Sequence, residues 1–393
     1  MMKVPRLAST MLAASAMTTL GAVPVFLLSA QSVFVRSDLK FDEAHFGLAA
    51  SCFFASAAVA AMLGGRWVDR LGRRRSTILA GLLACAGGVG MAVVAHSYAV
   101  MVAMLILLGF ANAALQITSN LSLATAIPLN RQGLAFGVKQ SAVPFAILLG
   151  GISVPTVGAL VGWRWTFGIA GIAGVLVLAS AFNLPDDKGA RAKVVVGPER
   201  PPTGAMALTV CGMAVASASV NSLGAFIASW GFEVGMSPAQ AGLLMAAGSG
   251  LSIIARILTG HLADRRNGGN LAVVIKQLLI GALAFLAISV GTIPTLWVAT
   301  IIAFVLGWSW PGLLLFAVVR VGRGATGAAS GALQAGAFVG GAAGPVLFGI
   351  LVSHTSYPVS WRVGGGFMLL AAGLLALARR QFLLDLAVRP LIR

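Results

Sequence analysis

Residues 64–76 read GGRWVDRLGRRRS, with five arginines and one aspartate in thirteen positions. On both sides lie apolar runs of about 20 residues, the length a helix needs to cross a ~30 Å hydrocarbon core. At 260–266 the chain reads GHLADRR, a thinner version of the same charged turn. A charged turn between two spans, used twice, predicts a membrane protein built from two related halves.

The rest of the chain agrees with that reading. Of 393 residues, 59% are hydrophobic and 9% charged, far below the roughly one quarter of charged residues in a soluble domain. Apolar segments fall near 8–34, 45–65, 77–95, 99–126, 134–160 and 165–183. They resume near 205–229, 240–260, 271–291, 296–319, 326–353 and 363–379. The first exceeds the 7–15 apolar residues of a cleavable leader and is expected to be a retained span. The fold class expected is therefore an all-α membrane protein of twelve transmembrane helices, arranged as two six-helix bundles around a central cavity. Residues 1–183 and 204–393 would form the bundles. The Pro- and charge-rich stretch 184–203 would link them, and the last residues would form a short tail.

The net charge of +17 fits orientation in a bilayer better than nucleic acid, because lysine and arginine gather in cytoplasmic loops. With the N-terminus inside, the cytoplasmic loops and tails carry twenty of the 27 lysines and arginines. The other side carries four, Arg36, Lys40, Arg164 and Arg362. Both termini are expected in the cytoplasm, with the chain in a bacterial inner membrane. Cys52, Cys85 and Cys211 lie in apolar runs without CxxC spacing, and the four histidines form no HxxxH or HExxH pattern, so neither metal nor cofactor is expected.

Internal similarity extends beyond the charged turn. Residues 39–70 align without gaps on 234–265, matching Gly47 with Gly242, Leu48 with Leu243, Gly65 with Gly260, and Asp69-Arg70 with Asp264-Arg265. At an offset of 194, Gly133, Gly137 and Gln140 pair with Gly327, Gly331 and Gln334. Parallel repeats of this kind accompany rocking of one half against the other.

Gly65-x-x-x-Asp69-Arg70-x-Gly72-Arg73-Arg74, placed between the second and third spans, resembles the corresponding loop of the major facilitator superfamily of secondary transporters. The resemblance covers the whole chain: twelve spans, a duplicated loop and a central linker. It implies a conformational latch of Gly65, Asp69, Arg70, Gly72 and Arg73, with Gly260, Asp264 and Arg265 as the second copy. The first copy would act through contacts with span 11. The residue types suit a latch, since Gly65 allows a close helix approach, Gly72 a tight turn, and Asp69 a carboxylate beside a positive helix N-terminus. Alternatively the arginines, above all Arg74 and Arg75, serve orientation alone.

Substrate contacts are sought among polar groups inside spans, which are costly there and usually functional. All ten acidic residues avoid the middle of a span, which argues against coupling through a membrane carboxylate. The intramembrane cations are Lys139, Arg256 and Lys276. Arg256 and Lys276 lie close enough to span ends to be read as snorkelling. Lys139 lies about two turns into span 5, which the resemblance implies lines the cavity. It would contact an anion, snorkel, or pair structurally. Gln140 adjoins it.

Asn112, Gln116 and Asn120 recur at i, i+4, i+8 and give span 4 one polar face, for packing or for lining water. Asn221, Gln334 and the pair Trp308 and Trp310 complete the candidates. Gly336, Gly340 and Gly344 form a ridge for close helix contact. Span 4 lacks the arginine of many drug–proton antiporters, and Pro144 precedes Gly150-Gly151 at the wrong spacing for their glycine motif.

The function expected is alternating-access transport of a small organic or inorganic anion, as in the cyanate and monocarboxylate branches. Efflux of amphiphilic compounds is the alternative. A membrane sensor or scaffold is the non-transport alternative, against which the short linker and tail argue. No paired carboxylates, nucleophile elbow or metal cluster suggests an enzyme. The expected partners are a small-molecule substrate and the lipid bilayer, without nucleic acid, and a monomer suffices.

Overall fold

The computed structural model describes residues 4–126, 132–182, 202–266, 269–321 and 326–389, and within these the side chains of 4–10, 63–70, 73, 120–126, 132, 133, 136, 180, 182, 319–321 and 326–330 lie outside the described set. Among the described residues there is no strand. Among these residues eleven helices are long and apolar enough to cross a membrane, and a shorter apolar helix, Trp163–Ala179, makes the twelfth. The all-α class and the twelve spans are as expected.

Span 1 is α1 (Val4–Ala30), followed by the short α2 (Ser32–Leu39). Spans 2 and 3 are the two parts of α3 (Glu43–Val94), which breaks at Gly72 with φ 77° and ψ 165°. That backbone conformation strains any residue with a Cβ, which explains the glycine inside the charged turn. Span 4 is α4 (Tyr98–Ala126). Span 5 is divided into α5 (Gln132–Gln140), α6 (Ala142–Ser153), a π-turn (Val154–Gly158) and α7 (Ala159–Val161), and span 6 is α8 (Trp163–Phe182).

The second half repeats this order. Span 7 is α9 (Thr203–Glu233), span 8 α10 (Pro238–Arg265) and span 9 α11 (Asn270–Ile288). Span 10 is α12 (Ile293–Ile302), a π-turn (Ala303–Gly307) and α13 (Trp310–Val321). Spans 11 and 12 are α14 (Thr326–His354) and α15 (Tyr357–Val388). Most of the linker expected at 184–203 lies outside the described residues.

The repeat is visible in local physics. Span 2 starts where Asp42 accepts from the N–H of His45 at 2.9 Å, and span 8 where Ser237 accepts from that of Gln240 at 3.2 Å. Each cap satisfies an N–H that the first helical turn leaves without a partner. Gln240 returns a bond from its side chain to the Ser237 N–H, completing a capping box. Asp42 and Ser237 are separated by the same offset of 195 that matches Gly47 with Gly242.

Those two glycines mark the seam between the halves. A Cβ on Gly47 would overlap the Pro345 carbonyl on α14, and one on Gly242 would stand 2.7 Å from the Gly151 carbonyl oxygen on α6. Bare glycine backbone is what allows spans 2 and 11, and spans 5 and 8, to touch there. At the same level Ser51 Oγ accepts from the Val346 N–H at 3.0 Å, Ser229 donates to Ser32 at 2.9 Å, and the Phe46 and Phe226 rings meet edge to face at 5.3 Å. All of these lie toward the end of the molecule away from Gly72. Toward the Gly72 end, a Cβ on Gly331 of α14 would meet nothing within 4 Å among the described residues.

The glycine ridge of span 11 has a different neighbour. Gly336, Gly340 and Gly344 face the carbonyls of Val210, Ala214 and Ala218 on span 7. It is a close contact, as expected, but within one half. Pro345, Gly341 and Gly349, on another side of the same helix, are what meet span 2.

Candidate functional site

Between the seam and the Gly72 end, two helices are broken and one arginine bridges the breaks. Pro144 has no N–H, so the carbonyl of Gln140, four residues earlier, loses its helical donor; α5 ends at Gln140. In span 10, Trp308 falls between the π-turn and α13, and its carbonyl lies outside either helix. Arg256 on span 8 satisfies both. Its Nη1 donates to the Gln140 oxygen at 2.8 Å and its Nη2 to the Trp308 oxygen at 2.5 Å.

Arg256 is 4% exposed, and its Nε has no partner among the described residues. It forms no ion pair among the described residues. The snorkelling expected for it is therefore wrong. Snorkelling requires a free path to the interface, whereas this side chain crosses to span 5 and is held by carbonyls that a proline and a helix break leave over. The spacing Gln140-x-x-x-Pro144 was the available signal. Lys276 differs and is exposed, in keeping with the simpler reading.

Around Arg256 lies a cavity of about 10 Å³, lined by Gly137, Gln140, Thr259, Gly260, Ser309 and Phe316 among others. That is room for about one water molecule. Gly137 packs against span 8, where a Cβ would stand 3.0 Å from the Arg256 carbonyl and 3.4 Å from Gly260 Cα. One turn beyond, the Asp264 carboxylate accepts from the Leu134 N–H at 2.9 Å. This places an anion at the positive N-terminus of α5, from the opposite half of the molecule.

The remaining candidates divide among three places. Gln140 and Trp308 belong to the Arg256 cluster. The Trp308 ring also meets Phe26 of span 1 edge to face at 6.2 Å and covers Gly224 of span 7. Trp310 is fully buried, and its Nε1 has no partner among the described residues.

The second place is inside the first half. Lys139 is 5% exposed, on a stretch whose Val138 and Ala142 carbonyls accept from Ser15 and Thr19 of span 1. Asn112 is buried against Gly21 of span 1 and Gln116 is half-buried; one turn further, Thr18 bonds Ser119 at 3.1 Å. The polar face of span 4 therefore packs on span 1 at Asn112. The Asn120 side chain lies outside the described set.

The third group is not brought to either cluster. Asn221 donates to the Ser217 carbonyl of its own helix at 2.8 Å, and Gln334 is half-buried on span 11. Among the proposed latch residues, Gly72, Gly260 and Asp264 are described in place. Arg265 is exposed at the last position of α10. The side chains of Asp69, Arg70 and Arg73, and the surroundings of Gly65, lie outside the described set.

Sequence reading also missed a recess of about 840 Å³ at the end away from Gly72. Its walls include Arg36, Lys40, Asp42, Glu43, Tyr98, Ser229 and Glu233. Arg36 pairs with Glu43 there, and Asp42 meets the His45 ring at 2.6 Å. Contacts from the His45 backbone and ring hold the Asp42 carboxylate below its ordinary pKa.

Residues 7–335 and 210–385 match the family model described as Major Facilitator Superfamily. The chain belongs to the major facilitator superfamily. It is an integral membrane protein of a transporter family.

A protein from Streptomyces lividans, named a chloramphenicol resistance protein, is 28% identical over 349 residues, covering 84% of this chain and 86% of that one. The glucose transporter GlcP of Staphylococcus epidermidis is 23% identical over 160 residues. That match covers 41% of this chain and 36% of GlcP, so the chain spans about a third of that relative. Among solved structures, a bacterial homolog of the human lysosomal transporter Spinster, described as inward-facing and unoccupied, superposes with a TM-score of 0.71. It is 18% identical and covers 98% of this chain and 99% of that one, which establishes the shared fold.

Proposed function

We propose that this facilitator is a secondary transporter that carries a small organic or inorganic anion by alternating access, with residues 1–183 and 204–393 as the rocking units. One observation carries the reading: the guanidinium of Arg256 is buried between the halves and forms no ion pair among the described residues. All ten acidic residues stand clear of the mid-membrane, so a counter-charge would come from a ligand. Buried Lys139 adds a second cation in the first half.

The charge count of the loops supports both termini in the cytoplasm of a bacterium and the Gly72 end as the cytoplasmic face. The 840 Å³ recess then opens to the outside. The seam glycines close that path, and Asp264 at the start of α5 acts as a latch on the inner side. A monomer contains every part of this machinery.

The test is uptake of labelled formate, acetate, benzoate, cyanate and nitrate into proteoliposomes, with Lys139→Ala beside the wild type. Saturable uptake of one of them, reduced at least tenfold by the substitution, is the expected result. Equal uptake by both proteins would remove Lys139 from the site, and no uptake of any would remove the anion reading. Export of an amphiphile is the second reading, favoured by the S. lividans relative that matches along most of both chains. Growth of an expressing strain on chloramphenicol separates the two.

A further inference from the structure

We infer that Arg256 is a strap holding the Gly72-end gate shut, and that a carboxylate or similar small oxyanion opens the gate by taking over its guanidinium. The inference rests on the anion-transport reading and assigns it a release mechanism.

The strap follows from what each partner lacks. Pro144 deprives the Gln140 carbonyl of a donor in span 5, and the break at Trp308 does the same in span 10. A buried carbonyl without a partner is costly, so both depend on Arg256, the one side chain among the described residues that bonds them. Gln140 lies in the first half of the molecule, whereas Arg256 and Trp308 lie in the second. The bond from Nη1 to Gln140 therefore spans the moving seam.

Release follows from size and charge. The cavity beside Arg256 has about 10 Å³, one water's worth, and no carboxylate fits there while spans 5, 8 and 10 stay together. An anion that binds the guanidinium must bind the parted state alone, and such differential affinity drives the parting. The exchange is favourable because a carboxylate brings the opposite charge and accepts two parallel bonds from the guanidinium, whereas the carbonyls are neutral acceptors. The Nε, without a partner among the described residues, supplies a further donor. Once the anion has left, the carbonyls recapture the side chain.

The experiment places a cysteine at Thr259, which lines the same cavity, in full-length protein from which Cys52, Cys85 and Cys211 have been replaced by serine. The rate of maleimide labelling is measured in chloride and then with acetate, benzoate, cyanate or nitrate. At least one anion is expected to raise the rate roughly tenfold, the scale of one charge-assisted hydrogen bond. Arg256→Gln is expected to label at the raised rate with no response to any anion. Pro144→Ala restores a helical donor to Gln140 without altering charge. It should raise the rate in chloride while keeping the anion response.

If Arg256→Gln and Pro144→Ala both label at the parent rate, no strap exists. If an anion is taken up by proteoliposomes but leaves labelling unchanged, the release mechanism fails and the transport reading stands. If no anion is taken up and none changes labelling, both fall together.

Discussion

Replacing Gly47 by alanine should open the seam at the end away from Gly72, and the structure sets the size of the effect. The added Cβ would overlap the Pro345 carbonyl oxygen and stand 3.0 Å from its carbon and 3.2 Å from Val346 Cα. All three are backbone atoms of α14, so no side chain can swing away, and the helices must part by several tenths of an ångström. Overpacking of this kind costs roughly 1–3 kcal/mol. Only the closed arrangement bears it, so the ratio of open to closed rises by roughly 5- to 150-fold, since about 1.4 kcal/mol is a factor of ten. The same substitution also gains roughly 1 kcal/mol of helix propensity, which must be separated out. Gly366→Ala on α15 is the control, because its Cβ meets nothing within 4 Å. Spin labels at Lys40 and Glu233, both exposed on the wall of the recess, report the opening as a distance distribution. The Gly47 variant should shift weight to longer distances and the Gly366 variant should not. Identical distributions for the two would refute the argument that the Gly47–Pro345 approach holds this end closed.

Three further outcomes follow from individual contacts. Asp264→Ala removes the acceptor of the Leu134 N–H and should lower thermal stability by about 0.5–2 kcal/mol, while speeding cysteine labelling on the Gly72 side more than it alters ligand affinity. Asp38 accepts from Trp163 Nε1 at 3.1 Å and pairs with Arg164 at 2.8 Å; because both charges are partly exposed, Asp38→Ala should cost about 1 kcal/mol in thermal unfolding. The depressed pKa of Asp42 stabilises the fold above the ordinary value of 3.8, a contribution lost as pH falls through the folded-state value. Asp42→Asn should flatten that acid-side loss in melts between pH 2 and 6, and should lower stability at pH 7 by the amount the parent loses in acid.

The residues that were legible in the sequence act through composition or through a single backbone requirement. Apolar run length announces a span whatever its neighbours, and Gly72 announces a turn because its φ of 77° excludes most other residues. The repeat alignment picked Gly47 and Gly242 before any contact was known, and both proved to sit on the seam. What stayed hidden depends on which helix lies opposite. Arg256 reads as a snorkelling cation because its distance from the span end is visible and its neighbours are not. The ridge Gly336-Gly340-Gly344 declares a close contact without naming span 7 as the partner. Asn112 likewise advertises a polar face, but only packing shows that the face meets Gly21 rather than water.

The two halves are alike where they must meet and unlike where a ligand would sit. At the seam the correspondence is close: Gly47 touches Pro345 and Gly242 touches Gly151, and the pairs interchange under the offsets of 195 and 194. A rocking interface needs this, because each half must offer the other the same approach. The cations break the symmetry. Arg256 corresponds to Ala61 in the first half, and Lys139 corresponds to Leu333 in the second. Phe338 stands where the helix-breaking Pro144 has its counterpart, so the carbonyl that Pro144 frees at Gln140 has no equivalent at Gln334. Duplication thus supplied the paired glycines, and later divergence placed a buried cation in each half at positions that do not correspond in the repeat. A small anion has no two-fold axis to match the fold's own, and a strap that closes one end of the molecule only has use for a single arginine.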